Sequence, residues 1–144
     1  MITFSKLGKY GAMGNQLFQY AALFGISRKT GLEMRIPKPP SNVEGKLEII
    51  GKYNNEYENP IEKYDYALGC FNISSNYLTS SDINFFNGRQ DDSLLTKIFK
   101  KKYRSKKIFQ YKEPHFHFDP NAFEIKDNTD IAGYFQSEKY FSHC

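Results

Sequence analysis

Within "GAMGNQ", residues 11–16, two glycines stand three positions apart and are followed directly by two carboxamides, Asn15 and Gln16. Glycine lets a backbone approach a ligand closely, and the free N–H groups where a helix starts favour anions. Carboxamides add donors and acceptors that suit sugar hydroxyls and phosphate oxygens. The pattern lacks the third glycine of a dinucleotide fingerprint and the Lys-Ser/Thr of a P-loop. A plainer reading makes Asn15 an N-cap and Gln16 a first-turn surface residue.

The surrounding elements place this stretch. "MITFSKLG" alternates Ile2 and Phe4 with polar neighbours and predicts a first strand. Leu17, Phe18, Ala21, Ala22 and Phe24 recur at helical spacing from Asn15 to Thr30, with Gly31 as the stop. "LEMRIP" predicts a short strand ended by Pro37. Strand, glycine turn, helix and strand open an α/β domain with a parallel sheet. Further on, Tyr66–Phe71 reads as a strand and "DDSLLTKIFKKKYRSK" as an amphipathic helix capped by Asp91 or Asp92. Ile131–Phe135 reads as a last strand, with Ser137 capping a helix after it.

The 144 residues suit one domain with a real core, and 40% hydrophobic with 17% aromatic content excludes global disorder. Net charge is +4, but residues 97–107 alone hold seven bases and no acid, leaving −3 for the rest. That run, with Phe99, Tyr103 and Phe109 interleaved, offers a surface for anionic lipid or nucleic acid, or a solvated helix face. Two distant cysteines, Cys70 and Cys144, make no disulfide framework and favour a reducing compartment. Cys70 reads as a small core residue. No signal peptide is legible, and Leu17–Ile26 is shorter than the ~20 residues a membrane helix needs; the expected location is the cytoplasm. His115 and His117 alternate like ligands on one strand face, but too few further ligands exist, so no metal is expected. Asp91–Asp92 and Asp127–Asp130 read as caps and turns.

"GAMGNQLFQYAALFGISRKTG" resembles the N-terminal motif of the α-1,2-fucosyltransferases, glycosyltransferase family 11. "GYFQSEKYF", Gly133–Phe141, is similar to the segment preceding that family's main donor-binding motif, and "YKEPHFHFDPNAF" resembles its aromatic Glu…Phe-His-Tyr/Phe-Asp segment. The three keep the family's order and spacing, while residues 40–105 are not distinctive.

The resemblance implies the Rossmann-like N-terminal lobe of a GT-B glycosyltransferase, a parallel sheet flanked by helices, with residues 1–144 as one incomplete domain. It implies transfer of fucose from GDP-fucose to a galactoside hydroxyl with inversion and without a metal or other cofactor. Gly14, Asn15 and Gln16 match the loop expected to face the donor; Ala12 stands where many members have Arg. His117 and Asp119 match a segment near the acceptor, and Gln136, Ser137 and Glu138 match the last motif, all five as acceptor-contacting or supporting residues. The charge-stabilising arginine belongs to a His-x-Arg-x-Gly-Asp motif expected beyond Cys144, so the catalytic residue is not assigned and the chain is expected to be inactive alone. The implied partners are a nucleotide sugar and a galactoside-type glycan, with peripheral contact to an anionic membrane and no nucleic acid. The alternative is a non-catalytic module that binds glycans, nucleic acid or an anionic surface, using the basic helix 97–107.

Overall fold

The computed structural model describes residues 1–9, 11–39, 66–73, 75–86 and 107–144. Five short strands form one sheet: β1 (Ile2–Thr3), β2 (Met34–Ile36), β3 (Asn76–Tyr77), β4 (Phe109–Lys112) and β5 (Thr129–Ala132). Their spatial order is β3-β2-β1-β5-β4, and every pairing is parallel. The chain is therefore an α/β protein with a Rossmann-like parallel sheet flanked by helices, as its opening strand-helix-strand predicts.

β1 lies at the centre, and Ile2, Thr3 and Phe4 have no exposed surface. A strand covered on both faces needs a partner for its polar side chain, and the Thr3 hydroxyl donates to the Arg35 carbonyl at 2.8 Å. Helix α1 (Met13–Thr30) crosses from β1 to β2. It presents Ala22, Leu23 and Ile26 to Ile2, Phe4, Ile36 and Ile131 in a single core. Gly31, at φ 71°, ends the helix by bonding back to Ser27, while Arg28 and Lys29 face the negative end of its dipole. Helix α2 (Ser80–Phe86) lies beyond β3. Arg35 bridges Glu33 and Asp82, tying β2 to α2.

Two expected elements differ. Leu68–Cys70 is a single 3-10 turn, and β3 follows it at Asn76–Tyr77. Cys70 is exposed, its thiol donating to the Ala67 carbonyl, because a turn this short buries only Leu68. After β5, Glu138–Tyr140 forms another 3-10 turn whose N-cap, Ser137, makes no side-chain cap bond. The basic segment 97–107 and its proposed helix lie outside the described residues apart from Lys107, an exposed side chain stacked over Phe109.

Candidate functional site

In a parallel sheet all strands finish at the same edge, and a crevice opens there where strand order reverses. Here the reversal falls between β1, whose chain proceeds outward through β2 and β3, and β5, beside which β4 lies. The loops after β1, β4 and β5 leave at this edge, and among the residues singled out from the sequence Asn15 and Gln136 meet there.

The start of α1 is built for exposure. Its N-cap is Ala12, with extended backbone and no side-chain cap bond. Asn15 is thus not the cap; it sits in the first turn, turned toward β5. Its Oδ1 accepts from Gln136 Nε2 at 2.6 Å, joining segments 121 residues apart. Gly11, at φ 77°, lies directly under the Asn15 amide, where a Cβ would come within 2.2 Å of Nδ2. Gly14 borders open space: a Cβ there would meet nothing within 4 Å.

Gln16 is a correction. Its side chain is fully buried; Nε2 donates to the Gly11 carbonyl at 3.1 Å and Oε1 accepts from Ala67 N–H at 2.8 Å. Buried main-chain groups demand partners, and Gln16 satisfies one on each side. It shapes the loop beneath the crevice and does not present itself to a donor.

The facing wall is the turn after β5. Gly133 has φ 155°, and Phe135 is held in the left-handed region at φ 53°. A bulky side chain there costs about 1–3 kcal/mol and persists only when its surroundings enforce it. Glu113 does so: Oε2 accepts the N–H groups of both Tyr134 (2.8 Å) and Phe135 (2.9 Å). Gln19, one turn beyond Asn15, donates from Nε2 to the Gly133 carbonyl at 3.1 Å. The Phe135 ring is locked edge-on against Phe4 and Tyr140. Gln19, Glu113 and Gly133 are thus positioning residues that the sequence reading missed. The Asn15–Gln19 spacing of four, one face of a helix, was the available signal for the first. The acid directly following β4 was the signal for the second.

Asp119 is also structural. Its carboxylate accepts from the Tyr111 hydroxyl at 2.7 Å and from both the main-chain and side-chain N–H of Asn121. It caps the 3-10 turn Pro120–Phe123, and its own N–H donates to the Tyr140 oxygen. The Tyr111 bond, followed by those from Asn121, holds its carboxyl below the usual range, and burial pushes the Tyr111 hydroxyl up. His115 and His117 lie in a bend after β4, not on a strand; His115 Nδ1 sits 3.0 Å from the His117 carbonyl. Both rings are exposed, as are Gln136 and Glu138, while Ser137 is half-buried. Among the described residues no group of three or more His, Cys, Asp or Glu side chains could hold a metal ion.

Asp130 lies on β5 itself, where its two oxygens accept the N–H (2.9 Å) and hydroxyl (2.6 Å) of Ser5. Burial raises its pKa against the opposing Ser5 bonds and the charges of Lys6 and Lys9. The folded state therefore holds this proton more tightly than the unfolded chain does. The resulting stability is complete below the ordinary carboxylate value of about 4 and declines as pH rises through the raised value. Asp130→Asn keeps the shape and both Ser5 contacts without the charge. Thermal unfolding of that variant is expected to occur at higher temperature than wild type at pH 7, with the difference closing toward pH 4; a constant difference across this range contradicts the assignment.

No family model, curated protein or solved structure matches this chain. The functional reading rests on the geometry and on the motif resemblance.

Proposed function

We propose that this chain is the sugar-facing N-terminal half of an α-1,2-fucosyltransferase-like glycosyltransferase, which moves fucose from GDP-fucose to a galactoside hydroxyl with inversion and without a metal. The observation that carries the reading is the Asn15–Gln136 amide contact. Two segments that resemble one family's motifs, far apart in the chain, meet at the crevice of a parallel sheet, beside open space over Gly14. The exposed Gln136 carboxamide, the half-buried Asn15 carboxamide and a helix start without a side-chain cap suit a sugar and its phosphate oxygens.

Inversion needs in-line attack by an acceptor oxygen and stabilisation of a leaving diphosphate. The chain's contribution is to orient the sugar through Asn15 and Gln136, held in turn by Gln19 and Glu113. Among the described residues the arginines are Arg28, in the last turn of α1, and Arg35, engaged with Glu33 and Asp82. The resemblance assigns the charge stabiliser to a His-x-Arg-x-Gly-Asp motif, which these 144 residues do not contain, so they are expected to yield no fucosylated product from GDP-fucose and lactose. A cytoplasmic place near an anionic membrane surface, where lipid-linked glycans are met, fits the reading; among the described residues no helix is long and apolar enough to cross a membrane.

Titration of the isotope-labelled chain with GDP-fucose tests the donor side. The side-chain amide resonances of Asn15 and Gln136 are expected to shift. Gly14→Ala places a methyl group in the open space, so it is expected to leave the fold intact, gain about 0.5–1 kcal/mol of helix stability, and lose the shift. A silent wild type, or a variant responding as wild type does, refutes the donor assignment.

A further inference from the structure

Phe116 is 68% exposed, the most of any large hydrophobic side chain among the described residues, and Tyr134 beside it is 38% exposed. They come from different loops, one after β4 and one after β5, yet their ring centroids lie 6.0 Å apart with planes inclined by 37°. Neither ring is positioned by chance. Tyr134 N–H is held by Glu113 Oε2, and the left-handed Phe135 that follows drives its own ring into the core while Tyr134 stays outside. Phe116 is flanked by His115 and His117, whose ring centroids lie 5.8 Å apart with planes inclined by 50°. Two residues beyond Tyr134, Gln136 engages Asn15.

We propose that Phe116 and Tyr134 form a stacking platform for the pyranose ring of the galactoside acceptor. The inference rests on the glycosyltransferase reading above and deepens it by locating the acceptor. A β-galactoside has one hydroxyl-poor face, because the axial 4-hydroxyl leaves the hydrogens on C3, C4 and C5 together on the other side. Such a face is about the size of one aromatic ring, so a sugar laid on either ring has its edge against the other and buries apolar area without stranding a hydroxyl. The hydroxyls around its rim need groups that both donate and accept, and the Gln136–Asn15 carboxamides, which begin two residues beyond Tyr134, are of that kind. A protein partner would call for a wider apolar patch than two rings. The polar surroundings and the small area favour one sugar ring.

Saturation-transfer NMR with methyl β-galactoside, on the chain alone, tests the platform. Transfer is expected to be strongest at H3, H4 and H5 and weaker for methyl β-glucoside, whose equatorial 4-hydroxyl interrupts the face. Phe116→Ser and Tyr134→Ala are each expected to weaken binding about tenfold, equivalent to about 1.4 kcal/mol. Tyr134→Phe is expected to bind as wild type does. Both positions are exposed enough for the fold to survive, and Phe116→Ser alters the most exposed of these rings, so a folded variant is available. Absence of transfer from the wild type, unchanged binding by folded Phe116→Ser, or ring resonances that follow protein concentration in place of sugar (self-association through the patch) would each overturn the proposal. The donor titration is independent: galactoside contact with unmoved Asn15 and Gln136 resonances under GDP-fucose leaves the platform standing and defeats the donor assignment. The reverse result does the opposite.

Discussion

Gly25→Ala is expected to lower stability by about 2–3 kcal/mol, although helix propensity alone predicts a gain of about 1 kcal/mol. Gly25 lies inside α1 where the chain after β5 crosses the helix. A Cβ there would stand 2.1 Å from the Tyr140 carbonyl oxygen and 2.8 Å from the Phe141 Cα. Both neighbours are backbone, so no rotamer change relieves the overlap. The whole segment must retreat, carrying Tyr140 away from Phe135 and Phe118, and breaking the 3.0 Å contact of His143 Nε2 with the Gly25 carbonyl. Because Tyr140 also accepts from Asp119 N–H, the disturbance reaches the turn after β4. Urea unfolding reads the loss as a lower midpoint, and the His143 ring resonances report the displacement. Gly14→Ala, in the same helix with open space around it, is the internal contrast. If both variants shift the midpoint in the same direction, the close approach is not what the glycine serves.

Gln16→Met is the second large effect, expected to cost about 3 kcal/mol. The substitution nearly preserves volume, so packing changes little. What disappears are the partners of the Gly11 carbonyl and the Ala67 N–H. Leaving a buried main-chain group unsatisfied costs about 1–3 kcal/mol, which applies in full to the Gly11 carbonyl and in part to the half-buried Ala67 N–H. Gln16→Glu separates this cause from packing. An ionised carboxylate still accepts from Ala67 but repels the Gly11 oxygen, and its burial raises its pKa. Protonated, it donates to Gly11 much as the amide does. The stability of that variant is therefore expected to approach wild type below about pH 4 and to fall as pH rises through the raised value. Thermal melts over that range check the sign. A Gln16→Glu variant that is equally weakened at every pH would mean that shape, not hydrogen bonding, is what the site demands.

The same residue explains why the site was only partly legible. Apolar spacing placed α1 correctly and ended it at Gly31, since a left-handed C-terminal residue is a local demand that glycine meets. Which face is buried was another matter. Gln16 and Gln19 have no exposed surface, while Phe18 and Phe24 are 36% and 39% exposed. Hydropathy ranks these four the other way round. The inversion arises because Gly11, Ala67 and Gly133 bring unpaired main-chain groups against the helix, and only an amide side chain can meet them. Phe18 finds its ring partner in Phe141, more than a hundred residues away. Asp119 was singled out by the motif resemblance and proves to cap a turn, because Tyr111 and Asn121 occupy its oxygens.

By itself the sequence determined the α/β class, the parallel opening unit and the glycine-amide loop at the head of α1, all of which follow from periodicity and from conformations confined to a few residues. Tertiary structure alone decided which amide faces the crevice and which is locked beneath it. It also decided that Asn15 meets Gln136 and that Phe116 meets Tyr134. These are contacts between distant segments, set by strand order and by where buried main-chain groups lack partners, and no local pattern encodes either.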